Sequence, residues 1–147
     1  MVSRACIPFL KKSTNAHILN LSPPINMDMK WFANHLAYTI SKYDMSMIAL
    51  GLAAELKKFN IAANTLWPRT TIATAAVNNL LGGQMLMNMS RTTDIIADAA
   101  WFILSKSSAQ CTGNTFIDEE VLAAEGITDL EKYSVVPGAK LYTDLFL

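Results

Sequence analysis

The chain has 147 residues, 52% of them hydrophobic, and its twelve basic and twelve acidic side chains cancel to a formal net charge of zero. That length suits one domain with a sizeable core, and the apolar content excludes a disordered segment. The charges are scattered rather than blocked, which leaves no electrostatic footprint for nucleic acid or an anionic membrane and points to a small molecule or another protein as partner.

The longest uncharged apolar run, MSMIALGLAA between Asp44 and Glu55, is about half the ~20 residues that a membrane span needs, so it is read as a core helix. The N-terminal MVSRACIPFLKKS has an apolar patch without a small-residue cleavage site behind it, so no secretory signal is expected and the compartment is expected to be intracellular and reducing. Cys6 and Cys111 form no CxxC or Cys/His spacing and are read as two small buried thiols.

In chain order, RACIPFLKK reads as a helix whose lysines 11 and 12 complement its C-terminal dipole. HILNLS, residues 17–22, is dense in Ile and Leu and stops at Pro23 and Pro24, as a buried parallel strand does. After a loop to about Trp31, Leu36, Ile40, Met47, Leu50 and Ala54 recur at near-helical spacing and predict a long helix from Ala33 to Phe59, with those residues as its core face.

IAANTLW, residues 61–67, is a second buried strand stopped by Pro68, and RTTIATAA is expected to reopen into a short helix that Gly82 and Gly83 break. Thr92 or Thr93 caps the next helix, with Asp94 in its first turn and Ile95, Ile96, Ala99, Phe102 and Ile103 behind it. NTFID, residues 114–118, is a third strand, followed by a short helix and an irregular tail over about 125–147.

Strands alternating with helices imply a parallel sheet with helices on its faces, an α/β class. Three strands are thin for that class, where about five or six are usual. The chain therefore reads as a partial doubly wound, Rossmann-like sheet, the back half of such a fold. Neither a GxGxxG nor a GxxxxGK[ST] stretch is present to grip a phosphate.

Tyr38 and Lys42 stand four apart, on one helix face and about 6 Å apart in rise. A free tyrosine titrates near 10, so proton exchange at neutral pH requires a fall of roughly three pH units, about 4 kcal/mol. One ammonium at about 4–5 Å supplies roughly 3–4 kcal/mol at an effective dielectric of ~20. Ser22 ends the strand before this helix, at the carboxyl edge where such sheets bind ligands, and can donate to a substrate oxygen.

Ser22 followed by Tyr38-Thr-Ile-Ser-Lys42 resembles the signature of the short-chain dehydrogenase/reductase family, a strand-end serine and a YxxxK helix. NTLWPRTTIAT, residues 64–74, resembles that family's strand with a Pro-led threonine loop, and CTGNTFIDE, residues 111–119, resembles its last strand. The resemblance spans nearly the whole chain and implies one partial reductase domain over 1–147. It implies NADP or NAD as cofactor and a small lipid-like carbonyl or alcohol as substrate. It also implies a peroxisomal or mitochondrial location, although no address is visible in these residues.

By that resemblance Tyr38 is the general acid/base, Lys42 holds the nicotinamide ribose and favours the Tyr38 phenolate, and Ser22 orients the substrate carbonyl. Pro68, Thr71 and Thr74 border the cofactor. The sequence departs from the family pattern in four ways: the glycine-rich turn and the helix asparagine of the proton relay are absent, the serine-to-tyrosine spacing of sixteen is longer than common, and Arg69 stands where most members have glycine. The 147 residues alone are therefore expected to be inactive, the alternative being a non-enzymatic truncated piece or a partner-binding remnant. An exposed sheet edge is expected to favour homo-oligomers or aggregation.

Other residues carry blander readings. His17 and His35 share no ligand spacing, so no metal site is expected; His35, one turn before Tyr38, either touches substrate or is a capping or solvated residue. Asp94 and Asp98 share a helix face and are read as solvated. Methionines clustered at 27–29, 45–47 and 85–89 either line an apolar substrate pocket or fill the core, core filling being expected for Met45 and Met47. Leu80 and Leu81 belong to a flap over the site or to an ordinary surface loop.

Overall fold

The computed structural model describes residues 2–147 and divides the chain into two compact units, residues 1–67 with 103–116 and residues 68–102 with 117–147. In the first unit the order is α1 (Val2–Leu10), β1 (Ala16–Leu21), a single helical turn α2 (Lys30–Ala33), α3 (Leu36–Leu56), a 3-10 turn (Lys57–Phe59) and β2 (Ile61–Trp67). With β3 (Thr115–Ile117) these strands form a three-stranded sheet in the order β1-β2-β3. β1 and β2 run parallel, from Ala16 opposite Ile61 to Leu21 opposite Leu66. The fold is a partial Rossmann-like sheet with flanking helices.

β2 is buried along all seven residues, as a parallel strand covered on both faces must be. Ala16, Ile18, Ile61 and Ala63 pack against Ala53 and Leu56 of α3, with Ile7, Leu10 and Leu52 around them. Asn60 turns the chain from helix into β2 at a left-handed φ of 56°, its N–H bonded to the Lys57 carbonyl; asparagine is the non-glycine residue that tolerates that conformation best. Buried Asn64 fixes the segment before β3, donating to the Cys111 carbonyl and accepting from the Asn114 backbone and side chain.

Three expectations for this unit are corrected. The long helix is interrupted: α2 ends at Ala33, α3 starts at Leu36, and its last turn tightens to 3-10 at Lys57. The buried face of α3 is Thr39, Tyr43, Ser46, Ala49, Ala53 and Leu56, whereas Leu36, Ile40 and Met47 are more than half exposed. The polar members of that face are tolerated because each donates to a backbone carbonyl of the preceding segment: Thr39 to Trp31 in α2, Tyr43 to Asn26 and Ser46 to Pro23. Cys6 is exposed rather than buried, because α1 turns Ile7 and Leu10 inward instead.

The second unit holds a π-helical turn (Val77–Leu81), α4 (Gly83–Asn88), α5 (Asp94–Ser105, whose residues from Ile103 count with the first unit), α6 (Asp118–Ala124) and a 3-10 turn (Glu131–Tyr133). The threonine-rich segment after Pro68 is extended, not helical. Thr70 bridges to Thr143 and Ile72 to Arg91, and helix begins only at Ala75. Its β-branched residues favour the extended state, and the N–H groups of Thr71 and Ala73 donate to Tyr142 and Arg91. No helix among the described residues is long and apolar enough to cross a membrane.

Candidate active site

β1 ends at Leu21 because Pro23 and Pro24 cannot extend a ladder. Ser22 follows fully buried, its N–H turned back onto the Asn20 carbonyl at 3.0 Å. Its Oγ has no hydrogen-bond partner among the described residues. A buried unpaired hydroxyl costs about 1–3 kcal/mol, so one at a strand end is a candidate ligand contact.

The loop after Ser22 is pinned to α3. Ser46 Oγ donates to the Pro23 carbonyl at 2.6 Å, Tyr43 Oη donates to the Asn26 carbonyl at 2.5 Å, and Asn20 Nδ2 donates to the Met45 carbonyl at 3.1 Å. The Phe32 and Tyr43 rings meet edge to face at 5.9 Å. Burial pushes the Tyr43 phenol up, against the bond to the Asn26 backbone, which lowers it. Tyr43 is thus a protonated strut, and it holds the strand-end loop against the helix that carries Tyr38.

Tyr38 is 42% exposed, in the first turn of α3. One turn on, Lys42 sends its Nζ to the Leu21 carbonyl at 3.2 Å, where it lies 5.9 Å from the Tyr38 ring centroid and 5.3 Å from that of Trp67. The structure thus gathers Tyr38 and Lys42 at the end of β1, next to Ser22. Trp67 has no place in the sequence motif, and no local signal reveals it. An open groove of about 530 Å³ is lined by Met27, Met29, Phe32, Ala33 and Leu36, on the stretch between Ser22 and Tyr38.

Pro68, Thr71 and Thr74 lie in the second unit. Pro68 is buried, the Thr71 hydroxyl is 2.8 Å from Ser90 Oγ, and Thr74 Oγ1 accepts from the Val77 N–H at 3.4 Å. The neighbouring Thr70 is the residue of this loop whose buried hydroxyl lacks a partner among the described residues. Arg69 is a strut: its N–H donates to Asp118 Oδ1 at 2.8 Å, its guanidinium pairs with Glu120, and its carbonyl accepts from Asp144. Asp118 is fully buried and its carboxyl is pushed up to about 6 by burial, against the lowering bonds from the Arg69 and Glu119 N–H groups. Asp98, read as solvated, accepts from the buried Tyr133 hydroxyl at 2.6 Å.

No family model matches the chain. Over all 147 residues it is 56% identical to hydroxysteroid dehydrogenase-like protein 2 of Xenopus tropicalis, of which it covers 34%. A crystal structure of a short chain dehydrogenase from Mycobacterium thermoresistibile superposes with a TM-score of 0.89 at 51% identity, over 99% of this chain and 51% of that one. The chain matches a segment of the short-chain dehydrogenase/reductase family. A candidate dehydrogenase from Xanthomonas campestris agrees, with a TM-score of 0.92 at 46% identity over 99% of this chain and 53% of that one. A more distant 3-oxoacyl-[acyl-carrier protein] reductase from Brucella melitensis, crystallised with bound NAD, is 22% identical and shares the short-chain dehydrogenase fold at a TM-score of 0.58. The chain spans about a third of the length of the curated relatives it matches and about half of the two similar solved chains.

Proposed function

We propose that this segment carries the proton-transfer site of an NADP(H)- or NAD(H)-dependent oxidoreductase acting on a lipid-like carbonyl or alcohol. The observation that carries the reading is the buried Ser22 hydroxyl, without a partner among the described residues and one residue beyond the Leu21 carbonyl that takes the Lys42 ammonium, with the half-exposed Tyr38 ring 5.9 Å from that ammonium. The residues present fit part of a nicotinamide site. Tyr38, Lys42 and Ser22 offer donors to a carbonyl oxygen and a ribose, while the 147 residues hold no glycine-rich turn for a pyrophosphate.

The bound nicotinamide would supply or accept the hydride. The Ser22 hydroxyl donates to the substrate oxygen and fixes its position. The Tyr38 phenol gives that oxygen a proton during reduction and takes it back during oxidation. The Lys42 ammonium favours the phenolate through its charge and also reaches the ribose hydroxyls. Pro68, Thr71 and Thr74 are assigned to the cofactor by their match to the family's loop; the Thr71 hydroxyl meets Ser90, and its N–H and carbonyl are engaged by Tyr142 and Arg91. The groove lined by Met27, Met29, Phe32 and Leu36 supports an apolar substrate, since thioethers and a phenyl ring adapt to an aliphatic body.

A second reading, a partner-binding piece without activity, is favoured by the exposed apolar stripe of Leu36, Ile40, Met47 and Ile48 on α3. One experiment separates the two. The 147-residue chain is fused to the part of the Xanthomonas campestris chain outside the match, and turnover of long-chain ketones with NADPH or NADH is measured. The isolated chain is expected to be silent and the fusion active, with Tyr38→Phe lowering turnover by roughly 10²–10⁴-fold. A folded fusion that binds cofactor yet is silent, or one that Tyr38→Phe leaves intact, refutes the oxidoreductase reading.

A further inference from the structure

Lys42 is the residue on which the proposed chemistry turns, and its ammonium sits on a long flexible stem. On bare α3 it would sample many rotamers, so something must hold it beside Tyr38. One holder is the Leu21 carbonyl at 3.2 Å. A second is the Trp67 ring, whose centroid is 5.3 Å from Nζ, within the reach of a cation–π contact.

Trp67 arrives there for reasons written in β2. Ile61 and Ala63 pack on Ala53 and Leu56 of α3, and strand alternation puts Thr65 and Trp67 on the same face. From Ala63 to Trp67 the strand advances about 13 Å, and from Ala53 back to Lys42 the helix advances about 16 Å. An antiparallel strand and helix therefore bring the two side chains to the same end. Pro68 restricts the backbone of the residue before it to extended geometry, which fixes the point from which the indole projects. The ring is only 5% exposed and cannot swing into solvent.

We propose that Trp67 is a positioning residue of this site: its indole face and the Leu21 carbonyl together hold the Lys42 ammonium next to Tyr38. The inference rests on the reading of Lys42 as the electrostatic partner of Tyr38 and adds to it a residue outside the Ser-Tyr-Lys motif. The Tyr38 ring, 5.9 Å from Nζ on the other contact, is then the reader of the ammonium's position. Phenylalanine at 67 offers a weaker face and leucine none.

The test follows the Tyr38 phenol by 13C NMR of the ring Cζ in the full 147-residue chain, with the resonance assigned by its loss in Tyr38→Phe. Lys42→Met is expected to raise the Tyr38 titration midpoint by about one pH unit or more, Trp67→Leu by ~0.5–1, and Trp67→Phe by less than half of the Leu effect. The Tyr43 and Tyr133 resonances are expected to stay in place and report an unchanged fold. A Lys42→Met variant without effect refutes the Tyr38–Lys42 reading. An effect there, with none in Trp67→Leu, refutes the role of Trp67 alone. If Trp67→Leu fails to fold, the Lys42 ε-methylene protons decide: an upfield ring-current shift that survives Tyr38→Ala supports the indole contact, and an ordinary lysine shift overturns it.

Discussion

The two units partner their buried polar side chains differently. In the second unit most are spent on one another or on a backbone carbonyl, Thr70 Oγ1 and Asp118 Oδ2 being without a partner among the described residues. Arg91, 8% exposed, bonds Glu119 and the Leu130 carbonyl, Thr71 meets Ser90, and Tyr133 meets Asp98. In the first unit many donate to backbone carbonyls, and the strand end keeps a buried Ser22 hydroxyl with no partner among the described residues, one residue beyond the Leu21 carbonyl that takes Lys42. Polar networks rigidify a loop region that has little regular structure, whereas an unspent donor stores a cost that a ligand can relieve. The difference separates scaffold from candidate chemistry more clearly than residue type does, since serine, threonine and tyrosine appear in both.

The largest expected effect tests the scaffold side. Asp118 is fully buried, with Oδ1 accepting from the Arg69 and Glu119 N–H groups and Oδ2 without a partner among the described residues, and its carboxyl rises from 3.8 to about 6. A proton on Oδ2 leaves both Oδ1 bonds in place, so the neutral form suits the folded state. Because the folded value is raised, the stabilisation is fully present below about pH 4 and is lost as pH rises through 6, a total of about 3 kcal/mol. Urea unfolding at pH 4 and pH 7.5 should show that loss in the wild type and little of it in Asp118→Asn. Parallel pH profiles for the two proteins would remove Asp118 from the account.

A middle-sized effect contrasts two tyrosines of one helix. Tyr43→Phe leaves the half-buried Asn26 carbonyl and N–H without their phenol partner and is expected to cost about 1–3 kcal/mol. Tyr38→Phe removes a hydroxyl from a side chain that is 42% exposed and should change stability by no more than about 0.5 kcal/mol. Denaturant midpoints of the two variants check the order, and equal losses would erase the distinction between strut and reactive phenol.

What the sequence reveals follows the same division. β1 and β2 are legible because short runs of Ile, Leu and Ala end at prolines, and the strands lie at Ala16–Leu21 and Ile61–Trp67 within a residue of the expected spans. The buried face of α3 is not legible: apolar residues lie all round the helix, and the partners of Thr39, Tyr43 and Ser46 are backbone carbonyls of the segment between β1 and α3. The threonine segment after Pro68 misleads because its partners, Arg91, Tyr142 and Thr143, are distant in sequence. Spacing alone places Tyr38 beside Lys42, and strand order places Ser22 near them. Trp67, twenty-five residues beyond Lys42, joins them only through the packing of β2 on α3.

The smallest expected change is the one with the opposite sign. Ser22→Ala deletes a buried oxygen that has no partner among the described residues, so the variant should be as stable as the wild type or more so, by up to about 1 kcal/mol. A serine kept only for packing would show the reverse, a loss on truncation. If thermal unfolding shows Ser22→Ala to be clearly destabilised, the hydroxyl has a partner in solution and its cost is already repaid within the chain. If the variant gains stability, the strand end holds an unsatisfied donor, and the folded chain sacrifices stability at the position where the proposed substrate oxygen would be received.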